Sequence, residues 1–311
     1  MTRTGKFFLD DSIYQPSEIN TGGRVRRTKA QVKQLERQII EVLEEDHPQS
    51  VRHVFYRMTN PRLLEPVEKT NQGYTQVQNR CALMRREGRL PYRWFADLSR
   101  RGHFTHTFAN ASSFILRMQG AYRADLWVDA KYRCEVWCES RSIASTILDD
   151  CKELAVDLYP CGGFSSMTFV HEAAMQHNNS DDARPLKIIY IGDYDPAGLL
   201  IDQSLERELR NHLNPDIEME FQRIGITPAQ IREYDLPSKP RKKSEKRMPD
   251  MKMTVEAEAM PAHQMRELLR YHVETLLPEN ALRIARVAEK SERDQLTRMA
   301  NLLSLPRPEG G

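Results

Sequence analysis

The chain has 311 residues, 29% of them charged, and a formal net charge of +2, which is room for two domains with a sizeable core in an ordinary soluble composition. No apolar stretch approaches the ~20 residues of a membrane span, and the opening MTRTGKFFLDD lacks the apolar core of a signal peptide, so no membrane partner is expected. The charge is uneven: residues 1–133 hold 23 Lys+Arg against 14 Asp+Glu, and residues 134–311 hold 23 against 30, so the first part suits a polyanion and the second suits divalent cations.

Residues 1–27, with Gly22, Gly23 and the cluster Arg24, Arg26, Arg27, read as a flexible basic arm. Thr28 is placed to cap a helix running to about Glu45, in which Val32, Leu35, Ile39 and Val42 recur along one face. Pro48 breaks the chain, and Ser50 caps a short helix, VRHVFYRM. A third helix is predicted from about Gly73 to Glu87 on the stripe Tyr74, Val77, Cys81, Met84, ended by Gly88. The basic and aromatic stretch RLPYRWFADLSRRGHF has the composition of a β-wing. Three short helices and a wing predict an α+β winged-helix domain over 28–125, a relative of the helix-turn-helix. Within it Arg80, Arg85, Arg86, Arg89, Arg93, Arg100 and Arg101 are opposed only by Glu87 and Asp97. We expect these seven to contact the phosphates of double-stranded DNA; the plainer reading is a solvated helix face.

The remainder alternates strand and helix. Strands are predicted at 134–138, 154–159, 187–191 and 217–224, and helices at 142–152, 165–177 and 198–212, which gives an α/β domain with a mainly parallel, Rossmann-like sheet over 126–300. Residues 236–250, LPSKPRKKSEKRMPD, read as an exposed basic loop. A helix carrying Leu268, Leu269, Val273 and Leu276 follows, and 301–311 read as a disordered tail. Five irregularly spaced cysteines fit a reducing cytosol; Cys134 and Cys138 share a strand face, but no second ligand pair follows to make a zinc site.

The chemistry gathers at strand ends. KIIYIGDYDPAG (187–198) places Asp193 and Asp195 just past an apolar strand, where ligands sit in a parallel sheet. Two carboxylates at i and i+2 repel unless a cation lies between them, and Mg²⁺ prefers such hard oxygens. Glu139 ends the strand CEVWC, and if the two strands are neighbours it joins the aspartates as a third ligand. PCGGFSS (160–166) adds a glycine-rich turn after the intervening strand.

A strand ending in Glu, one ending in a Gly turn and one ending in Asp-x-Asp together resemble the Toprim fold of topoisomerases, primases and some nucleases. SVRHVFYRMTN resembles the short helix of topoisomerase VI A subunits and Spo11 proteins, in which an Arg is followed four residues later by the second of two aromatics, a Tyr; here these are Arg52, Phe55 and Tyr56. The segment Glu256-Ala257-Glu258-Ala259-Met260 after the basic loop is similar to the Glu-x-Glu-Ala-Leu that closes that family's Toprim region, and makes Glu258 a further acidic candidate. The resemblance spans roughly residues 30–275 and is nearest to compact bacterial and phage-type members. It departs where Ser140 and Arg141 follow the Glu in place of a frequent Lys, and where GDYDP stands for DGDP.

The resemblance implies Mg²⁺-dependent double-strand DNA breakage. Tyr56 attacks a backbone phosphorus, Arg52 favours the phenolate and holds the phosphate, and Glu139, Asp193 and Asp195 hold the metal. It implies a homodimer in which Tyr56 of one chain meets the acidic site of the other. It also implies a separate GHKL-type ATPase B subunit, because the chain has no G-x-x-x-x-G-K-[ST] loop. The expected location is cytoplasmic and nucleoid-associated. The alternatives are a hydrolytic Toprim endonuclease that does not use the tyrosine, and a non-catalytic DNA-binding protein.

Overall fold

In a computed structural model, residues 27–96, 105–162, 167–241 and 245–304 are described, 167 and 168 by backbone alone. Most of the expected arm, Arg100, Arg101, the second half of the wing segment, residues 163–166 of the glycine-rich turn and the tail beyond Ser304 lie outside the described residues. Among the described residues, no helix is long and apolar enough to cross a membrane.

The first helix, α1, runs Lys29–Glu45. The Thr28 hydroxyl accepts from the Gln31 N–H at 3.2 Å, and the Gln31 side chain accepts from the Thr28 N–H at 2.8 Å. This reciprocal capping box satisfies two N–H groups that the first turn leaves open. Helix α2 is Val51–Met58, capped by Ser50, and α3 is Asn71–Arg86, capped by Thr70. Gly88 then takes a φ of 71°, the left-handed turn that a glycine permits after a helix. The wing expectation meets a different structure where residues are described. Tyr92–Trp94 form one 3₁₀ turn, and Phe95 makes an isolated bridge with Gln49. Pro91, immediately before it, fixes its own φ and has no N–H to give to a strand ladder.

Helix α4, Ala111–Gln119, leads to the sheet. Strands β1 (Arg133–Cys138), β2 (Asp157–Pro160), β3 (Leu186–Ile191) and β4 (Met219–Gly225) run parallel in the order β2-β1-β3-β4. Between them lie α5 (Arg141–Glu153), α6 (Met167–Asn178) and α7 (Pro196–His212). The α/β expectation holds. β2 starts three residues later than predicted, because Leu154 closes α5 and Ala155 turns with a φ of 51°. Helix α8 (Pro228–Glu233), the pair β5 (Lys239–Pro240) and β6 (Met253–Thr254), α9 (Ala262–Glu274) and α10 (Ala281–Ser304) complete the fold. The basic segment expected as a plain loop thus contains one strand of a two-residue ladder. Residues 301–304, expected in the tail, finish α10.

Strand alternation splits the apolar residues between two cores. Trp137, Ile188 and Tyr190 pack with Val170 and Ala174 of α6 and Ile201 and Leu205 of α7. Val136, Cys138, Ile189 and Ile191 face Ile143 and Ile147 of α5 and Met265 and Leu269 of α9, and this cluster is continuous with Leu35, Ile39, Val54, Phe55 and Met58 of the first helices. The junction is also polar: Arg266 on α9 pairs with buried Asp46, whose other oxygen accepts the His263 N–H at 3.0 Å. The helix carrying Arg52 and Tyr56 is therefore held against the sheet by a shared core.

Candidate functional site

β1 and β3 are adjacent, with Cys138 opposite Ile191, so their ends lie side by side. The Glu139 N–H continues the ladder to the Ile191 carbonyl at 2.9 Å. Glu139 Oε2 accepts the Asp193 N–H at 2.8 Å, which ties the two strand ends together. Asp195 caps α7, its Oδ1 accepting from Gly198 at 2.7 Å, with Pro196 in the first turn. Only glycine fits twice here. A Cβ at Gly192 would stand 2.9 Å from Glu139 Oε2, and one at Gly198 would stand 2.4 Å from the Asp193 carbonyl.

The fourth carboxylate arrives from a distant segment. Tyr194 and Val255 exchange backbone hydrogen bonds of 2.8 and 3.0 Å, which docks residues 255–259 onto the aspartate turn. Asp193 Oδ1 accepts the Ala257 N–H at 2.8 Å, and Ser140 donates to Glu258 at 3.3 Å. Glu258 is only 4% exposed. Burial pushes the Asp193 carboxyl well above the usual range, and the charges of Glu139 and Glu258 push it further. Burial also raises Glu139, against the Asp193 N–H that lowers it, with Asp195 and Glu258 adding repulsion. Burial raises Glu258, against the pull of Arg52.

Glu139, Asp193, Asp195 and Glu258 offer only hard oxygens, and their mutual repulsion is what a divalent cation relieves, so the donor chemistry fits Mg²⁺. Their convergence is looser than a finished cage: among the described residues, no three His, Cys, Asp or Glu side chains form a group that could hold an ion as they stand. One oxygen each of Glu139, Asp193 and Asp195 is committed to a backbone N–H.

Arg52 and Tyr56 meet this acidic group within one chain, through Glu256, which sequence reasoning did not single out. Glu256 accepts from Arg52 at 2.5 and 2.8 Å and from Lys239. Burial works against its charge, but Lys239, Arg52 and Tyr56 together hold it down at about 2. The phenol behaves opposite to the sequence expectation. Burial raises Tyr56, Glu256 raises it further by charge and hydrogen bond, and Arg52 pulls the other way without prevailing. Arg52 has its own carboxylate partner, so its charge is largely spent before it reaches the phenol. Tyr56 is 6% exposed, in edge contact with Phe55 and under Lys69, whose Nζ is 5.0 Å from the ring centre. Burial, with Lys239 nearby, lowers Lys69 to about 8.

A cleft of about 700 Å³ opens over these groups, lined among others by Arg52, Tyr74, Asp193, Asp195, Glu256 and Glu258. Of the five expected DNA-contacting arginines among the described residues, the structure brings only Arg85 into its lining. Arg80 and Arg89 are bound to Glu36 at 3.1 and 2.8 Å, and Arg89 also to Glu87 at 2.5 Å. Arg86 and Arg93 are exposed outside the cleft. The cationic lining comes instead from Arg52, Arg85, Arg141, Lys239, Arg241 and Arg247. The last three belong to the basic segment 236–250, whose charge density was visible in sequence but whose docking on the aspartate turn was not.

No family model, no curated protein and no solved structure matches the chain.

Proposed function

We propose that the chain cuts double-stranded DNA with Mg²⁺, as a compact relative of topoisomerase VI A subunits. In this reading α1–α3 form a winged-helix-type DNA-binding part and the sheet is a Toprim domain. The observation that carries it is the cleft in which Asp193 and Asp195, joined to Glu139 at the neighbouring strand end, share a wall with Arg52, from the helix that also bears Tyr56. Glu139, Asp193 and Asp195, with Glu258 behind them, are the residues that would hold the metal, which supplies charge neutralisation at the phosphate and the departing oxygen.

The reaction is transesterification. Arg52 leaves Glu256 for the scissile phosphate, a bidentate exchange of one oxyanion for another. The Tyr56 oxygen gives its proton to solvent as it bonds to phosphorus, the bond from phosphorus to the 3′ oxygen breaks, and the 3′ oxygen leaves as a hydroxyl with a proton from solvent. The protein remains joined to a 5′ end. A homodimer makes two such cuts, and a GHKL-type ATPase subunit would complete a topoisomerase. A hydrolytic route has one specific observation in its favour: Tyr56 is buried, and burial together with the charge of Glu256 raises its phenol, whereas water needs no such release.

The test is denaturing electrophoresis of DNA incubated with the chain and Mg²⁺. Protein attached to 5′ ends supports the tyrosine route, free ends support hydrolysis, and intact DNA under conditions of demonstrated binding sinks both.

A further inference from the structure

The cleft wall divides by charge partner. Arg52 and Lys239 are neutralised by Glu256, and Arg247 by Glu245 at 2.6 Å. Arg85, Arg141 and Arg241 line the same cleft, and among the described residues none of them pairs with a carboxylate. Arg85 donates to the Cys81 carbonyl at 3.2 Å and lies 4.4 Å from the centre of the Phe95 ring. That stacking fixes the guanidinium plane without offsetting its charge. Arg241 donates to the Arg247 carbonyl at 3.0 Å, again a neutral partner. Arg141, exposed, opens α5 two residues after Glu139.

Three guanidinium groups, from α3, the start of α5 and the residue after β5, thus border an acidic centre, each without a carboxylate partner among the described residues. A guanidinium in that state can neutralise a DNA phosphate, and the cations condensed on the DNA are then released, which drives binding. From this arrangement the geometry points to a phosphate-holding track made by Arg85, Arg141 and Arg241, which grips the duplex DNA backbone on either side of the phosphate at the carboxylates. The inference rests on the DNA-cutting reading and deepens it. It keeps Arg85 of the arginine run 80–101 and adds two distant segments that share its cleft.

The experiment measures equilibrium binding of a labelled linear DNA duplex to the full chain in EDTA, across a range of salt, so that no cutting intervenes. The double variant Arg141→Ala/Arg241→Ala should bind about tenfold or more weakly at low salt, and its log–log salt slope should be shallower by about two, since each lost phosphate contact removes about 0.9. Arg141→Lys/Arg241→Lys should recover most of the slope, which separates lost charge from lost fold. Arg80→Ala/Arg89→Ala should leave the slope unchanged, because those groups already serve Glu36. An unchanged slope in the Arg141→Ala/Arg241→Ala protein would overturn the track while leaving the DNA reading standing. A wild-type chain that binds no duplex DNA sinks the DNA reading itself and the track with it. Preference for an RNA duplex over the DNA duplex would overturn the assigned occupant.

Discussion

The acidic strand ends and the arginine run of α3 were both conspicuous in sequence, and they fare differently in three dimensions. Glu139 and Asp193 lie 54 positions apart and meet at 2.8 Å through a backbone N–H, because parallel pairing of β1 and β3 leaves no other place for two strand ends. Arg80 and Arg89, nine positions apart on the chain, share Glu36 on α1. A residue at the carboxyl end of a buried strand has its position set by topology. A surface charge has its role set by whichever opposite charge tertiary packing brings within reach, and that partner is invisible in a run of arginines.

The largest expected effect tests the strand ends. Asp193→Asn or Glu139→Gln should lower the Mg²⁺-dependent cutting rate by about a hundredfold or more, with fold and DNA binding retained. Calorimetry showing unaltered Mg²⁺ binding in Asp193→Asn would remove the metal assignment. Asp195 needs a subtler change, because it also caps α7. Asp195→Ser keeps a capping oxygen and removes the charge, so its cutting should fail without the loss of about 1 kcal/mol expected for an uncapped helix.

Tyr56→Phe tests the opposite wall. It removes one oxygen and keeps the packed ring, so stability should change little. Cutting should vanish under transesterification and persist with free ends under hydrolysis. Mixing Tyr56→Phe chains with Asp193→Asn chains then locates the site. Arg52, on the same helix as Tyr56, reaches Glu256 of its own chain, so a site complete in one chain leaves every site in the heterodimer dead and the mixture inactive. Nicked DNA with covalent protein would instead restore the arrangement shared between chains.

Much of the sheet was legible in sequence, because apolar runs bounded by Gly, Pro and Asp can hardly do otherwise. The helices at 29–45 and 51–58 were legible through the Thr28 and Ser50 caps, and the helix at 71–86 through its apolar stripe and Gly88, with its start placed two residues late. Helices α4 and α10 were not foreseen. They pack chiefly on each other, Ser112 Oγ meeting Ser304 Oγ at 2.6 Å, and they leave Phe114, Ile284 and Leu302 exposed, so no clean apolar stripe marked them. Within the site, Asp193, Asp195 and Glu139 were readable from local pattern. Glu256 was not, because its importance comes from three partners that arrive from residues 52, 56 and 239.

A smaller effect probes the junction between the first helices and the sheet. His53 is buried, with Nδ1 2.9 Å from Ser50 Oγ and Nε2 without a partner. Burial lowers it to about 3, against the pull of Asp46. Its folded value is below its unfolded value, so the neutral ring is tolerated above pH ~6.5. Between ~6.5 and about 3 the unfolded chain takes up a proton that the folded chain refuses. Stability should therefore fall toward acid by about 1.4 kcal/mol per pH unit from this group alone. Denaturant unfolding of His53→Gln across that window should show a shallower dependence, and an identical slope would mean that the ring gains its proton without unfolding.

The smallest effect separates the two kinds of arginine directly. Glu36 has a side chain only 12% exposed, and the hydrogen bonds and charges of Arg89 and Arg80 hold its carboxyl below the usual range against burial. Arg89→Ala takes away one of its two partners and leaves the other. The loss should be about 1 kcal/mol of stability, read as a lower denaturation midpoint with the slope of the transition unchanged, and DNA affinity should stay as it was. Arg85→Ala should do the reverse. Its guanidinium has no acid to abandon, so the folded state loses the stacking on Phe95, about 0.5–1 kcal/mol, and the hydrogen bond to the Cys81 carbonyl, while binding at low salt weakens with a shallower salt slope. If Arg89→Ala weakens DNA binding as much as Arg85→Ala does, the pairing with Glu36 yields in the complex. The run 80–101 would then act as the single phosphate-contacting surface that its sequence implies.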